Sequence, residues 1–180
     1  MRRDKVSTAG AHILELPILM TPTTPVPGFA ELYERHYEVV FRAALRVTGN
    51  AADAEDVLQT VFLRVIAQGG RRGDEAALPA AYFRRAAVNA AVDVLRRRES
   101  HGESSYDDHA LPASQPPLLL KERLRRAIAV LDSDDASLFL LRYVEGLSNE
   151  ELAGMFQLEK NNVAVRLHRI RQRLQMELER

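Results

Sequence analysis

The chain contains no cysteine and no tryptophan. Without thiols it has no disulfide, no thiolate nucleophile and no Cys-ligated zinc. Aromatic residues make up only 6% of the chain against 46% hydrophobic residues. Leu, Val and Ala must therefore supply the core, which suits small, closely packed helices. No apolar run approaches the ~20 residues that a membrane-crossing helix requires, so no membrane insertion is expected. A glycine-rich phosphate loop, a nucleophile–base pattern and a metal-ligand spacing are also missing. His101, Glu103, Asp107, Asp108 and His109 are of ligating type but follow no recognised ligand spacing. The expectation is therefore no catalytic residue, no metal, no cofactor and no small-molecule substrate. A net excess of charge is lacking too, since 25 basic side chains balance 25 acidic ones. Any cationic surface must come from placement rather than abundance.

The charge is in fact segregated. Residues 29–68 carry six acids and four bases, and residues 80–98 carry five Arg and one Asp. Residues 99–117 carry four acids and no Lys or Arg, and residues 160–173 carry five bases and no acid. Two basic helical segments thus lie on either side of an acidic stretch.

Residues 1–28 begin basic, turn apolar and end in TPTTPVPG. His12, Glu15 and Pro17 interrupt the apolar part, and no small-residue cleavage site follows. This segment is read as a disordered leader on a cytoplasmic protein. From residue 29 apolar residues recur at three-four spacing: Phe29, Leu32, Tyr33, His36, Tyr37, Val40, Phe41 and Ala44. Gly49 is a C-terminal stop and Asn50 an N-cap. A second helix over 51–67 buries Val57, Leu58, Val61, Phe62 and Val65, and Gly69, Gly70 and Gly73 are expected to end it. A third over 80–98 turns Phe83, Ala87, Ala90, Val94 and Leu95 inward. Residues 99–117 have no apolar period and read as a linker. Helices over 118–131 and 136–145 follow, separated by a polar break at 132–135. No β-alternation and no repeat is present. The fold class expected is all-α: two small helical domains, 29–98 and 118–180, joined by the linker.

LSNEELAGMFQLEKNNVAVRLHRIRQR, residues 147–173, carries the most information. Ser148 and Glu151 have the spacing of a capping box, with Leu147 and Leu152 placed as its hydrophobic staple. A short turn follows, then a helix with a buried stripe of Val163, Leu167, Ile170 and Leu174. Its outer positions are polar at the N-terminal end and arginine-rich further on. That is the outline of a helix-turn-helix whose second helix reads bases first and holds phosphates second. A solvated basic helix is the alternative for such a segment taken alone.

On these residues the chain resembles the extracytoplasmic-function sigma factors, group 4 of the sigma-70 family of bacterial RNA polymerase. DAEDVLQTVFLRV (53–65) resembles the acidic signature of their region two, and AYFRRAAVNAAVDVLRRR (81–98) its basic helix, matching at Asn89, Asp93 and Arg96–Arg98. LRYVEGLSNEELAGMF and VAVRLHRIRQRL resemble their region four. The resemblance covers residues 29–98 and 118–180. The chain departs from the family pattern where it has Ile66 and Tyr82 for Trp, Gln157 for the turn Gly, Glu159 for a Ser or Thr cap, and Ala164-Val165 for Lys-Ser.

The resemblance implies a non-catalytic initiation factor that binds core RNA polymerase, recognises −10 and −35 promoter elements and helps melt the DNA. Its first domain would clasp a coiled coil of the largest subunit, and its second would bind the flap. An anti-sigma factor or other regulator is the further partner implied. Polymerase contact is expected along one edge of the second helix, at Asp53, Asp56, Gln59, Thr60 and Leu63. Contact with the −10 element is expected from Arg71, Arg72, Tyr82, Arg84, Arg85, Asn89, Asp93, Arg96 and Arg97. Asn89 and Asp93 would shape the loop over 68–79 into a pocket for a flipped base. Contact with the −35 element is expected from Lys160, Asn161, Asn162, Ala164, Arg166, Arg169 and Arg171. The alternative is a stand-alone helix-turn-helix regulator that binds duplex DNA without polymerase.

Overall fold

A computed structural model describes residues 28–72, 78–101 and 116–179. Among the described residues there are seven helices and no strand. Helix α1 (Phe29–Thr48) ends at Gly49, whose φ of 82° lets its amide return to the Leu45 carbonyl at 2.9 Å. That left-handed stop is the usual way to satisfy the last carbonyls of a helix. Asn50 opens α2 (Ala51–Arg72) by accepting the Asp53 N–H on its Oδ1 at 2.8 Å. Gly69-Gly70 does not end α2, which runs on to Arg72. Glycine costs only about 1 kcal/mol in a helix, and each residue added to an existing ladder gains a hydrogen bond.

Helix α3 (Ala80–His101) is the centre of the molecule. It packs on α1 and α2, and also on α4 (Pro116–Ala129) and α5 (Ser133–Tyr143). Phe83, Ala87, Ala90, Val94 and Leu95 are buried as their spacing predicts, but Val88, Ala91 and Val92 are buried too. A helix covered on most of its circumference loses the one-sided pattern that reveals its inner face. The polar run expected to separate α4 from α5 is instead the first turn of α5. Asp134 and Asp135 lie at its N-terminus, where carboxylates offset the positive end of the helix dipole.

The last two helices are α6 (Asn149–Phe156) and α7 (Lys160–Leu178). Both halves of the capping box form: Ser148 Oγ accepts from Glu151 N, and Glu151 Oε2 accepts from Ser148 N at 2.7 Å. The Ser148 amide, then its hydroxyl, hold the Glu151 carboxyl below its ordinary pKa, with the Arg84 charge assisting. The turn between α6 and α7 depends on Gln157, the one described non-glycine residue with positive φ (55°). A side chain in this left-handed region costs about 1 kcal/mol relative to glycine. Gln157→Gly should therefore raise the melting temperature by roughly 2–4 °C, read by thermal unfolding. An unchanged midpoint would show that the turn carries no strain.

A column of rings stabilises the first three helices. Tyr37 stacks on Tyr33 at 5.8 Å, Tyr33 meets Phe62 at 4.8 Å, and Phe62 meets Phe83 at 5.8 Å. His36 stacks on Phe83 at 4.1 Å. The imidazole is buried with no hydrogen-bond partner for either nitrogen. Burial, then the nearby Arg35 charge, lowers its pKa below the ordinary 6.5. The unfolded chain therefore takes up this proton first as pH falls. The contribution of His36 is intact above about pH 6.5 and is lost below it, at up to about 1.4 kcal/mol per pH unit until the folded group titrates. Urea unfolding from pH 7.5 to 5.5 should show this loss, and His36→Leu should reduce the slope. Equal slopes would rule out a role for His36.

Candidate nucleic-acid and polymerase interfaces

Helix α7 is oriented by its apolar stripe. Val163, Leu167, Ile170 and Leu174 are buried at successive turns, so the positions opposite face solvent. Asn161, Val165, His168, Arg169 and Gln172 occupy that outer face, and all are exposed. Lys160, Ala164 and Arg171 flank it on one side and are also exposed. Lys160 lies 3.5 Å from Glu150 of α6. Glu159, at the N-cap, makes no side-chain cap, so the first amides of α7 are not satisfied by that residue.

Arg166 sits on the other flank. Its Nε donates to Asp135 Oδ1 at 2.6 Å, and Arg173 Nη1 donates to Asp135 Oδ2 at 3.0 Å. Asp132 adds a longer ion pair to Arg173 at 3.7 Å. The buried Asp135 carboxylate thus pins two arginines of α7 to the start of α5. A cavity of about 420 Å³ opens beside this clamp, lined by Asp135, Asn162, Val165, Arg166, Arg169 and Arg173.

The acidic edge of α2 divides in two. Asp56, Gln59 and Leu63 are exposed and recur one turn apart, and Thr60 is half-buried beside them. Leu63 is 64% exposed. Asp53 instead turns inward, accepting from Asn50 Nδ2 at 2.9 Å and pairing with Arg98 of α3.

The basic residues of α3 also separate. Arg85, Asn89, Val92 and Arg96 fall at i, i+4, i+7 and i+11, a single stripe of the helix. Arg85 Nη1 donates to the Met155 carbonyl at 2.5 Å, and its guanidinium lies 4.3 Å from the Phe156 ring centre. Asn89 Oδ1 accepts from Ser137 Oγ. Arg96 donates to the Ala129 and Leu131 carbonyls at 3.2 and 2.5 Å. This stripe is therefore docked on the second half of the chain. Asp93, one turn on from Asn89, lies 3.7 Å from Arg64 of α2. Arg84 is half-buried and Arg97 exposed. Tyr82 is half-buried and meets Phe83 edge-on at 5.4 Å. The side chains of Arg71 and Arg72, residues 73–77 of the expected pocket loop, and residues 1–27 and 102–115 lie outside the described residues.

The comparisons with known proteins match this two-part organisation. The family described as Sigma-70 region 2 matches residues 32–101, and Sigma-70, region 4 matches residues 121–174. The RNA polymerase sigma factor CarQ of Myxococcus xanthus is 34% identical over 79% of this chain and 84% of its own length. The ECF RNA polymerase sigma factor SigL of Mycobacterium tuberculosis is 32% identical over 76% of this chain and 81% of its own. The chain belongs to the ECF sigma factors of the sigma-70 family. A third relative, the ECF RNA polymerase sigma factor SigE of Mycolicibacterium smegmatis, is 30% identical over 83% of this chain, which spans 61% of that relative's length.

In this sigma factor α1–α3 form the region 2 unit and α4–α7 the region 4 unit. No described helix is long and apolar enough to cross a membrane. Two residues of the region 4 unit escaped the sequence reading as contributors. Asp135 lay within an apparent polar break, and its partners are 31 and 38 residues away. Val165 stood out only as a departure from the family pattern, yet it is 50% exposed at the centre of the outer face of α7. Its place opposite the buried stripe was the available signal.

Proposed function

We propose that this sigma factor is a cytoplasmic, non-catalytic promoter-specificity subunit that uses three surfaces. The exposed α2 edge of Asp56, Gln59 and Leu63 docks on core RNA polymerase, on a basic and partly apolar partner helix. The outer face of α7 enters the major groove of a −35 element. The basic stripe of α3, with Arg84 and Tyr82 beside it, meets the −10 element when the DNA is opened. Phosphodiester chemistry remains with the polymerase.

The observation that carries this reading is the outer face of α7. It sets Asn161 at its N-terminal end, Val165 at its centre and Arg169 beyond, opposite a buried stripe, with Asn162 and Arg171 on its flanks. Asn161 and Asn162 suit the adenine edge, and Val165 suits a thymine methyl. Arg169 and Arg171 suit phosphates, which fix register without reading sequence. Val165→Ser should relax selectivity at one base pair by about fivefold, the value of roughly one apolar contact. A promoter library transcribed by the reconstituted enzyme reads this, and an unchanged preference would remove Val165 from the readout.

The test of the whole reading is run-off transcription by core polymerase with and without the full chain, on genomic promoters, across a salt series. Promoter-specific transcripts should require the chain, and promoter binding should weaken steeply as salt rises, because phosphate contacts release counterions. Tight binding of the isolated chain to duplex promoter, with no effect on polymerase, would instead support a stand-alone regulator. The family resemblance makes an anti-sigma factor a further expected partner of this chain.

A further inference from the structure

None of the three proposed surfaces uses α1, yet its first half exposes two aromatic rings. Tyr33 is 37% and Tyr37 46% exposed. They stand one turn apart and stack nearly parallel, with ring centres 5.8 Å apart and planes inclined by 16°. The inner side of the pair is anchored, since Tyr33 meets Phe29 at 6.2 Å and Phe62 at 4.8 Å. Glutamates border the rings. Helical spacing places Glu34 and Glu38 next to them on the solvent side, and both are exposed. Glu38 pairs with Arg42, whereas Glu34 makes no ion pair with any described residue. A partner that covers these rings must therefore be apolar over the ring faces and cationic at the glutamate border.

The chain itself carries a segment of that description. Residues 1–27 precede α1 and lie outside the described residues. Arg2, Arg3 and Lys5 stand near their start against Asp4, and six of the eight residues 13–20 are Ile, Leu or Met. A segment too short to bury its own apolar side chains orders only against a surface. Reach decides which surface. Residues 21–27, with three prolines, span roughly 22 Å at ~3.1 Å per residue of extended chain. Tyr33 and Tyr37 lie only about 8 and 14 Å along the axis from Gly28 at ~1.5 Å per residue. Gly28 itself holds a φ of 84°, a backbone turn that takes the incoming chain out of the helical path. Charge decides as well. Another exposed apolar pair, Leu119 and Leu120 of α4, adjoins exposed Lys121 and Arg123. Those charges repel Arg2, Arg3 and Lys5, whereas Glu34 attracts them.

We propose that residues 13–20 fold back on Tyr33 and Tyr37 as an intramolecular cover of α1, with the Arg2–Lys5 end set against Glu34. The aliphatic side chains take the ring faces out of water, and the basic end offsets the unpaired carboxylate. The cover is independent of the polymerase and promoter readings. It is measured on the free chain, without either partner.

The absence of native cysteine allows a single spin label on the full chain, at Ala11→Cys beside the packing segment. Tyrosine-selective isotope labelling makes the rings the reporters in an NMR spectrum. Tyr143 of α5, also exposed, is the control. The label should erase the Tyr33 and Tyr37 signals and leave that of Tyr143 intact. Leu16→Asp with Leu19→Asp in the labelled chain should restore both signals, whereas a segment held near α1 only by its tether would keep them weakened. Glu34→Lys should restore them in part, and adding Arg2→Glu and Arg3→Glu to that variant should remove them again. Circular dichroism checks that each variant keeps its helices. Tyr33 and Tyr37 signals that survive the label in the otherwise wild-type chain would overturn the cover, as would a loss that persists with Leu16→Asp and Leu19→Asp. An unchanged loss in Glu34→Lys would overturn the charge pairing. A mixture of spin-labelled chain without isotope and isotope-labelled chain without spin label tests the source. Signal loss in that mixture would assign the rings to a second copy and overturn the intramolecular reading.

Discussion

Leu63→Arg is expected to weaken association with core RNA polymerase by about 30- to 100-fold while leaving the melting temperature unchanged. Leu63 is 64% exposed, so its removal creates no cavity, and substitutions at such surface positions usually change stability by less than about 0.5 kcal/mol. Its expected contribution lies in association. It shares an edge of α2 with Asp56 and Gln59, both exposed, and an apolar side chain ringed by polar ones is the form an interface anchor takes. Truncating an anchor of this kind costs about 2–3 kcal/mol, and each 1.4 kcal/mol is tenfold in affinity. Arginine adds repulsion from a basic partner helix. Titration of labelled sigma factor with core polymerase, followed by anisotropy, reads the affinity directly. Asp53 provides the contrast. It is turned toward Arg98 and Asn50, so Asp53→Ala should lower stability more than it lowers polymerase affinity. Wild-type affinity in Leu63→Arg would move the docking surface away from this edge.

These two residues show where the sequence was legible and where it was not. Features whose partners lie within one or two turns were readable: the Asn50 cap, the Gly49 stop, the Ser148–Glu151 box and the buried stripe of α7. Each is set by helical spacing alone. The orientation of Asp53 was not readable, because Arg98 is 45 residues away and both residues suit an exposed edge equally well. The boundaries of α2 and α5 were misplaced for a related reason. Glycine and aspartate runs look like breaks locally, but an established helix continues through Gly69-Gly70, and a helix N-terminus favours Asp134 and Asp135. The second buried side of α3 was hidden most thoroughly. Its residues 86–95 run small and branched apolar side chains together between two blocks of arginine, and only the packing of α4 and α5 shows that Val88 and Val92 are core. The candidate site was consequently legible by residue type. Whether Arg85, Asn89, Arg96 and Arg166 stand open or are engaged within the chain depended on contacts that no local pattern encodes.

Arg166 leads to the second large effect. Asp135→Ala should lower stability by about 2–3 kcal/mol and, separately, abolish most of the dependence of transcription on the −35 sequence. The carboxylate is buried and receives two charge-assisted hydrogen bonds from α7. Removing one partner of such a group costs more than a neutral hydrogen bond. The loss is held below the value for a fully buried pair because the Arg166 and Arg173 side chains are 34% and 52% exposed and can turn to water. At this chain length the change corresponds to roughly 5–10 °C in melting temperature. The effect on transcription has a different origin. With both arginines pinned, α7 is fixed about its own axis relative to α5, and Asn162, Val165 and Arg169 beside the clamp share one fixed aspect. Without the pin these side chains no longer meet base edges in register, and a misplacement of that kind is felt as lost discrimination. A merely destabilised protein, assayed well below its melting temperature, would transcribe promoters with intact and scrambled −35 elements in the wild-type ratio. A protein that has lost the alignment of α7 should bring that ratio toward one, by about tenfold. Arg166→Lys is the informative companion, since lysine keeps the charge but not the fixed planar donor geometry toward Asp135; it should fall between Asp135→Ala and wild type. If both variants preserve the wild-type ratio, Asp135 holds the domain together and takes no part in aiming the recognition helix.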